Sequence, residues 1–294
     1  MKALNELFSS LSFKSERLIS IDLSPFGVKE SQFYIYLDHL NHEWLSGNKI
    51  RKLFGSLEYI QTNNYNTIVT IGGNYSNYLY ACSFVPELTG IKMVAIIKGY
   101  EPKIYGYTLQ QLRQKNIDLH FYSKNELKEN YNAIINKLIS KYGDSYFIPE
   151  GGSNDLAHIG FKPLIHRHFD FADKICVGVG TQGTYNGIYP YLSPKTELIG
   201  YAAMNDFSLK GNISFEYTFY GFAKMNSELL EFIREFKRTT GILLDPIYTS
   251  KMVFGIIEDY KKRKYSASEK IVAIHTGGLQ GWEGMKERKH LLTT

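Results

Sequence analysis

Short runs of apolar, largely β-branched residues alternate with helix-like patterns along this chain from about residue 45 onward. Strands are predicted at 67–71, 93–97, 117–121, 146–148, 175–179, 198–201 and 271–274. Helical spacing of apolar residues is clearest over 126–142, and shorter helices are predicted near 77–85 and 108–114. Continuous apolar strands that alternate with helices predict an α/β fold with mostly parallel sheets. Such sheets bind ligands at the carboxyl ends of their strands.

The composition predicts a soluble globular protein. The 294 residues are 44% hydrophobic and 21% charged, enough for one large or two smaller domains. Met1–Asp22 contains no continuous apolar stretch, and the longest strongly apolar run, Met93–Ile97, is too short to span a bilayer. We therefore expect no targeting segment and no membrane partner. Two cysteines imply no disulfide framework, so we expect a reducing, cytoplasmic location.

The charge pattern gives little reason to expect a nucleic-acid partner. The net charge is only +5. The basic run Lys261–Lys264 is interpreted as a solvated helix end that complements the helix dipole. The 23 tyrosines do not cluster with arginine or lysine in a recognisable nucleic-acid motif.

Lys49 follows a Gly-Asn turn and opens a helical pattern with apolar residues at Leu53, Leu57 and Ile60. A helix start disfavours a positive charge, and partial burial lowers the pKa of an amine as well. A neutral amine is what a Schiff base with an aldehyde requires. Taken alone, the residue is more typical of a solvated lysine at a helix start than of a catalytic amine.

Glycine-rich turns follow three of the predicted strands, at 72–77, 149–154 and 178–184. The third contains a literal G-x-G-x-x-G, which suggests a dinucleotide site. That interpretation needs an acidic residue at the end of the following strand, whereas Glu197 lies at its start. Thr181 and Thr184 fit a compact cup for one phosphate group better. Ser76 or Asn77 in the first turn could instead simply cap a helix.

Two later segments add candidate residues. Tyr248 and Thr249 follow Pro246 and precede a predicted helix, and His275 follows the last strand. A tyrosine or histidine at such positions is by default a core residue. His166 and His168 are two residues apart and do not face one another on a helix, so we expect no metal site there.

Six motifs taken together are similar to those of one enzyme family. They are Gly47–Lys52, Gly72–Asn77, Glu150–Ser153, Thr181–Thr184, Leu244–Lys251 and His275–Gly278. In this order, from about residue 35 to 282, they resemble the 1-aminocyclopropane-1-carboxylate deaminase and D-cysteine desulfhydrase family. The resemblance implies pyridoxal 5′-phosphate and the two-domain α/β fold of the tryptophan synthase β-like enzymes (fold type II), with mostly parallel sheets. Residues 1–51 plus 156–294 would form the large domain that binds the cofactor, and residues 52–155 the small α/β domain.

The resemblance also implies roles for individual residues. Lys49 would hold the cofactor as a Schiff base, and Ser76 would handle a proton or attack the substrate, with Tyr248 and Tyr220 as the two active-site tyrosines. The residues expected to contact the cofactor are Lys49, Lys52, Asn77, Thr181, Gln182, Gly183, Thr184 and Thr249, the last at the pyridine nitrogen. The residues expected to contact the substrate are Ser76, Asn77, Gly152, Ser153, His275 and Thr276.

Departures from the family pattern bear on the substrate. The deaminases have Glu and Leu where this chain has Thr249 and Thr276, as the D-cysteine desulfhydrase branch does. A neutral threonine at the ring nitrogen makes a weaker electron sink, so we expect β-elimination from D-cysteine, giving pyruvate, ammonia and sulfide. Gln182 stands where glycine is usual, and the segment between Thr184 and Tyr220 is shorter than in relatives.

Three alternatives stay open. One is deamination of 1-aminocyclopropane-1-carboxylate to 2-oxobutanoate and ammonia. Another is a protein that binds pyridoxal phosphate or an amino acid without catalysis. A nicotinamide-dependent enzyme rests on the G-x-G-x-x-G alone. By the resemblance, a homodimer that acts on a small amino acid is expected.

Overall fold

The computed structural model describes residue 6 and residues 9–221 and 223–287. Ten strands form two separate sheets. The smaller sheet has the order β5-β4-β3-β6, and all of its neighbouring strands are parallel. Its strands are β3 (Thr67–Gly73), β4 (Lys92–Lys98), β5 (Asp118–Tyr122) and β6 (Ser145–Ile148). All four were predicted from the apolar runs, to within a residue or two.

The larger sheet has the order β1-β2-β10-β7-β8-β9. Only the pairing of β1 with β2 is antiparallel. Its strands are β1 (Leu18–Ile21), β2 (Gln32–Tyr36), β7 (Lys174–Val179), β8 (Glu197–Ala202), β9 (Ile213–Ser214) and β10 (Lys270–Ile274). The strands β7, β8 and β10 were predicted. The strands β1, β2 and β9 were not: β1 and β2 precede the region near residue 45 where the strand–helix alternation begins, and β9 has only two residues.

Helices cover both faces of each sheet. They are α1 (Asn48–Thr62), α2 (Asn77–Cys82), α3 (Val85–Thr89), α4 (Tyr107–Gln114), α5 (Lys124–Tyr142), α6 (Lys162–Ile165), α7 (Gly183–Ile188), α8 (Ser227–Thr240), α9 (Thr249–Lys261) and α10 (Gly281–Glu287). The single helix predicted near 77–85 is two helices, because Pro86 lacks an N–H and starts a new helix. No helix in the described ranges is long and apolar enough to cross a membrane.

Alternate residues of the smaller sheet pack on opposite sides. Ile68 of β3 and Met93 of β4 pack with α1, α2 and α4, whereas Val69 and Val94 pack with the apolar face of α5. The larger sheet is covered in the same way by two further apolar clusters. Parallel strands buried on both faces are typical of α/β proteins, and they explain why these strands read as continuous apolar runs.

Helix α1 connects the two sheets. Its apolar residues Ile50, Leu53 and Leu57 pack into the core of the smaller sheet. Arg51, in the first turns of α1, is fully buried and faces the other way. The domain boundaries expected at 51 and 155 stay a prediction, and the first of them falls inside this helix.

The Arg51 guanidinium makes a fully buried ion pair with Asp38, at 2.6 Å from Nη2 to Oδ1. Its Nε also donates to both Asp38 oxygens, at 2.9 and 3.0 Å. Nη1 donates to the carbonyl oxygens of Leu11 and Gly160, at 2.7 and 2.9 Å. Gly160 must lack a side chain, because a Cβ there would lie 2.3 Å from the Arg51 carbonyl oxygen. The pair therefore ties α1 to the segments that flank the larger sheet.

We predict that Arg51→Met lowers the free energy of unfolding by about 3–5 kcal/mol, because it leaves a buried carboxylate without its partner. Denaturant unfolding, followed by circular dichroism, measures the loss. Arg238 is the matched control: it is exposed and pairs with Glu235 at 2.6 Å, and Arg238→Met should leave stability unchanged. Equal stability of the two variants would contradict the assigned role of the buried pair.

Candidate active site

A cavity of about 570 Å³ lies where the carboxyl ends of strands from both sheets meet. The smaller sheet contributes the last residue of β4 and residues that follow β3, β5 and β6, and the larger sheet contributes residues that follow β7, β8 and β10. The predicted site residues that line it are Lys49, Lys52, Ser76, Asn77, Thr181, Gln182, Thr184, Tyr248 and Thr276. Residues more than 200 positions apart in the sequence thus surround one space, as the carboxyl-end rule for such sheets predicts.

Lys49 lies in the first turn of α1, which starts against the turn that follows β10. The N–H of Asn48 donates to the Thr276 carbonyl oxygen at 3.2 Å. Gly47 precedes the helix at φ 65°, and a Cβ there would lie 2.0 Å from that same oxygen, so only glycine fits. The Lys49 amine donates to Asn48 Oδ1. Burial lowers the pKa of Lys49 to about 8, although the nearby Asp245 carboxylate opposes the shift.

Lys52 is buried one turn further along α1. Burial, and then the charge of Lys49, lower the pKa of Lys52 to about 7. Its amine lies beside the start of α7, where a Cβ on Gly183 would be 2.9 Å from Lys52 Nζ and 2.2 Å from Ser153 Oγ. Gly183 and Ser153 therefore contact this corner of the site without lining the main cavity.

Two threonine hydroxyls complete the same corner. The Asn48 amide donates to Thr184 Oγ1 at 2.7 Å, and the hydroxyls of Ser153 and Thr181 are 2.9 Å apart. Two amines with lowered pKa values thus lie close to several hydroxyl groups and to the backbone around Gly183. Such a set of donors suits a single anionic group.

The loop after β7 has Gln182 where relatives usually have glycine, and the side chain of Gln182 is held by hydrogen bonds. It has φ 60°, in the left-handed region. Its side chain is turned towards the segment between β8 and β9: the amide donates to the Lys210 carbonyl oxygen, and the Lys210 N–H donates to Gln182 Oε1 at 3.2 Å. The side chain therefore fixes a loop beside the cavity.

Ser76 both caps a helix and lines the cavity. The Leu79 N–H at the start of α2 donates to Ser76 Oγ at 3.2 Å. Because the hydroxyl accepts in this bond, its own proton stays available to a second partner. Asn77, the next residue, lies beside the turn after β10, where a Cβ on Gly278 would be 3.2 Å from Asn77 Nδ2.

Tyr248 forms the opposite wall and packs against the loop after β7. A Cβ on Gly180 would lie 3.0 Å from the Tyr248 hydroxyl oxygen. Burial raises the pKa of Tyr248, so this phenol keeps its proton at neutral pH.

Asp245, which the sequence reasoning missed, fixes the backbone of Tyr248. Its fully buried carboxylate accepts hydrogen bonds from the N–H groups of Ile247, Tyr248 and Thr249 at 2.7–3.0 Å. The sequence signal that could have identified Asp245 is an aspartate three or four residues before the start of a helix.

Other predicted residues lie outside the cavity lining. Thr249 is buried, and its Oγ1 has no hydrogen-bond partner among the described residues. His275 is a core residue: its Nε2 is 2.9 Å from the Leu243 carbonyl oxygen, and its Nδ1 accepts from the Gly277 N–H at 3.2 Å. It therefore shapes the turn that carries Thr276. Tyr220 is 83% exposed, and Gly152 also lies outside the lining.

The structure adds charged residues to the cavity that the sequence reasoning did not single out. Glu150 and Lys98 form an ion pair at 2.6 Å, and Lys124 also lines this side. Among the described residues there is no group of three or more histidine, cysteine, aspartate or glutamate side chains that could hold a metal ion.

No family model matches this chain. A protein of Pyrococcus furiosus that carries the provisional name 1-aminocyclopropane-1-carboxylate deaminase is 27% identical, over 85% of this chain and 86% of its own. The mitochondrial bifunctional D-cysteine desulfhydrase/1-aminocyclopropane-1-carboxylate deaminase of Arabidopsis thaliana is 28% identical, over 85% of this chain and 73% of its own.

Solved structures show the same fold. A protein described as a homologue of ACC deaminase superposes with a TM-score of 0.77 at 21% identity, over 99% of this chain and 100% of its own. The O-acetylserine-dependent cystathionine β-synthase of Helicobacter pylori superposes with a TM-score of 0.67 at 14% identity, over 94% and 96%. The predicted resemblance and the predicted fold class are thus confirmed.

The lowered pKa of Lys49 leads to a prediction about its reactivity. Only the neutral amine attacks an acylating reagent, so labelling of Lys49 should be half-maximal near pH 8. An ordinary lysine reaches that point near pH 10.4. Peptide mapping after brief acetylation of ligand-free protein at a series of pH values measures this. Unfolding in urea, as the control, should move the midpoint of Lys49 to the ordinary value; a midpoint near pH 10 in the folded protein would contradict the burial argument.

Proposed function

We propose that this chain, which resembles the 1-aminocyclopropane-1-carboxylate deaminase and D-cysteine desulfhydrase family, deaminates a small amino acid with pyridoxal phosphate. The comparisons bear out the family resemblance, and with it the predictions of an enzyme and of this cofactor. The observation that carries the proposal is one cavity that joins a lysine of lowered pKa to a cluster of anion-binding donors.

The residues present fit the cofactor. An aldehyde needs a neutral amine, and the lowered pKa of Lys49 makes that form far more available near neutral pH than it is in an ordinary lysine. A phosphate needs several hydrogen-bond donors in a small volume. The side chains of Lys52, Thr181, Thr184 and Ser153 supply such donors around one corner of the site. The missing side chain at Gly183 leaves room in this corner, since a Cβ there would meet both Lys52 and Ser153. The unpartnered hydroxyl of Thr249 could accept or donate one further hydrogen bond.

Pyridoxal phosphate, when bound, supplies an electron sink for negative charge at the substrate α-carbon. The chain supplies the proton chemistry and the orientation. Lys49 Nζ in its neutral form is the base for the α-proton. The Ser76 hydroxyl, whose proton stays available at the start of α2, would move a proton of the substrate, and Asn77 beside it would bind the substrate carboxylate. Tyr248 keeps its phenolic proton and can donate it, or a hydrogen bond, to a departing group.

The neutral threonines favour D-cysteine as the substrate. Loss of the α-proton and of the β-sulfur makes an enamine that water hydrolyses, so D-cysteine and water give pyruvate, ammonia and hydrogen sulfide. This elimination needs only a modest electron sink. Opening a cyclopropane ring that has no α-proton needs a stronger one, and neither Thr249 nor Thr276 carries a charge that would strengthen it. A homodimer and a cytoplasmic location stay predictions.

The first prediction of this proposal concerns the cofactor. We expect the purified protein to be yellow, and Lys49→Ala to lose the visible absorption band, because Lys49 holds the aldehyde. The matched control is Lys52→Ala, which should keep the band when excess pyridoxal phosphate is added. A coloured Lys49→Ala protein beside a colourless Lys52→Ala protein would assign the aldehyde to the other lysine.

The second concerns the reaction. We expect a higher kcat/KM for release of pyruvate and sulfide from D-cysteine than for release of 2-oxobutanoate from 1-aminocyclopropane-1-carboxylate. Ser76→Ala should reduce turnover by about 10²-fold or more and leave the visible band intact, since general acid–base groups typically contribute that much. Ser83→Ala is the control, because Ser83 caps the same short helix outside the cavity. Faster turnover of the cyclopropane substrate would disprove the threonine argument.

A further inference from the structure

Lys251 is a fully buried cation whose amine binds three backbone carbonyl groups. Its Nζ donates to the oxygens of Ala203, Thr218 and Gly221 at 2.9, 2.7 and 2.8 Å. A lysine ammonium has three N–H donors, so each has one partner. No ion pair among the described residues includes Lys251, and its ligands are therefore the carbonyl dipoles of a single segment, 203–221.

Helix propensity does not explain a lysine at this position. Lys251 lies in the first turn of α9, where the helix dipole disfavours a positive charge. Burial lowers the pKa of Lys251 to about 8, while Asp245 opposes the shift, so the amine stays mostly charged at neutral pH. A dehydrated monovalent cation is what a set of converging carbonyl oxygens normally binds.

The segment that supplies the carbonyls has an unfavourable backbone. Phe219, Tyr220 and Gly221 follow one another with φ of 48°, 66° and 119°. Non-glycine residues rarely adopt the left-handed region, and such a conformation persists only where surrounding contacts impose it. Of the three carbonyls bound by Lys251, that of Thr218 lies just before this run and that of Gly221 lies at its end.

The same contacts reach the wall of the cavity. Ala203 precedes Met204, which lines the cavity, and the Ala203 N–H donates to the Val179 carbonyl oxygen at 2.9 Å. Val179 also lines the cavity, and Tyr248 lies three residues before Lys251 at the start of α9. Lys251 thus joins the helix that carries Tyr248 to the loops beside it.

We propose that the ammonium group of Lys251 takes the place of a bound monovalent cation. It occupies a site formed by three backbone carbonyls, and it thereby positions the wall of the cavity that Tyr248 and Met204 form. Without this side chain, the same carbonyls form a site for a free ammonium ion. The assignment rests on the contacts of Lys251 alone and does not depend on the proposed function.

The test is chemical rescue of Lys251→Ala. We expect its Tm to fall by about 10 °C, since a buried charge that organises a segment is lost. Amide exchange of residues 203–204 and 218–221 should become about tenfold faster or more. Ammonium chloride at pH 7 should restore most of both losses in a saturable way, whereas choline chloride at equal ionic strength should not, because its nitrogen carries no N–H.

Two control variants separate a cation site from a general salt effect. Lys251→Met fills the space with a neutral chain and should gain nothing from ammonium. Lys174→Ala removes a lysine that binds the carboxylates of Glu197 and Glu269 and leaves no carbonyl site, so it should show no ammonium-specific gain. If Lys251→Ala is soluble only when purified in ammonium chloride, that counts as rescue. Equal behaviour in ammonium and choline, or insolubility in both, would overturn the assignment.

Discussion

Arg51 is buried between the two sheets, and its guanidinium binds the Asp38 carboxylate and the carbonyl oxygens of Leu11 and Gly160. This contact fixes the rotation of α1 about its axis. Because Lys49 and Lys52 lie on the same first turns, it also decides that both amines face the cavity. Charge burial of this kind costs free energy unless every donor has a partner, and here each guanidinium nitrogen has one.

The cavity brings the amines of Lys49 and Lys52 close together, and neither forms an ion pair among the described residues. Burial lowers the pKa of Lys49 to about 8 and that of Lys52 to about 7, and Lys49 adds to the second shift. An anion that binds beside Lys52 offsets the free-energy cost of burying the charged amines. It favours the charged form of Lys52 more than that of Lys49, because Lys52 is closer to Gly183. The two lysines can therefore hold different protonation states, one as nucleophile or base and the other as anion ligand.

The strands of the smaller sheet could be predicted from sequence because burial on both faces leaves continuous apolar runs such as Met93–Ile97. The motifs around Lys49, Ser76 and Thr181–Thr184 could be recognised because close backbone approach requires glycines at fixed places. The contacts of Arg51 and Lys251 could not be predicted, since their carbonyl partners are brought near only by tertiary packing. The contacts of Asp245 are local and could have been recognised from its place just before a helix start. His275 was selected by motif, but its hydrogen bonds show that it acts on the shape of a turn.

The central claim is that the Lys49 amine, and no other lysine, holds the aldehyde of pyridoxal phosphate. Reduction of the holoprotein with borohydride would fix that bond permanently, and mass spectrometry of the digested protein would locate it. We predict one modified lysine, Lys49, with Lys52 and Lys251 unmodified. A cofactor mass on Lys52 or on Lys251, or none on any lysine of a yellow protein, would contradict the account.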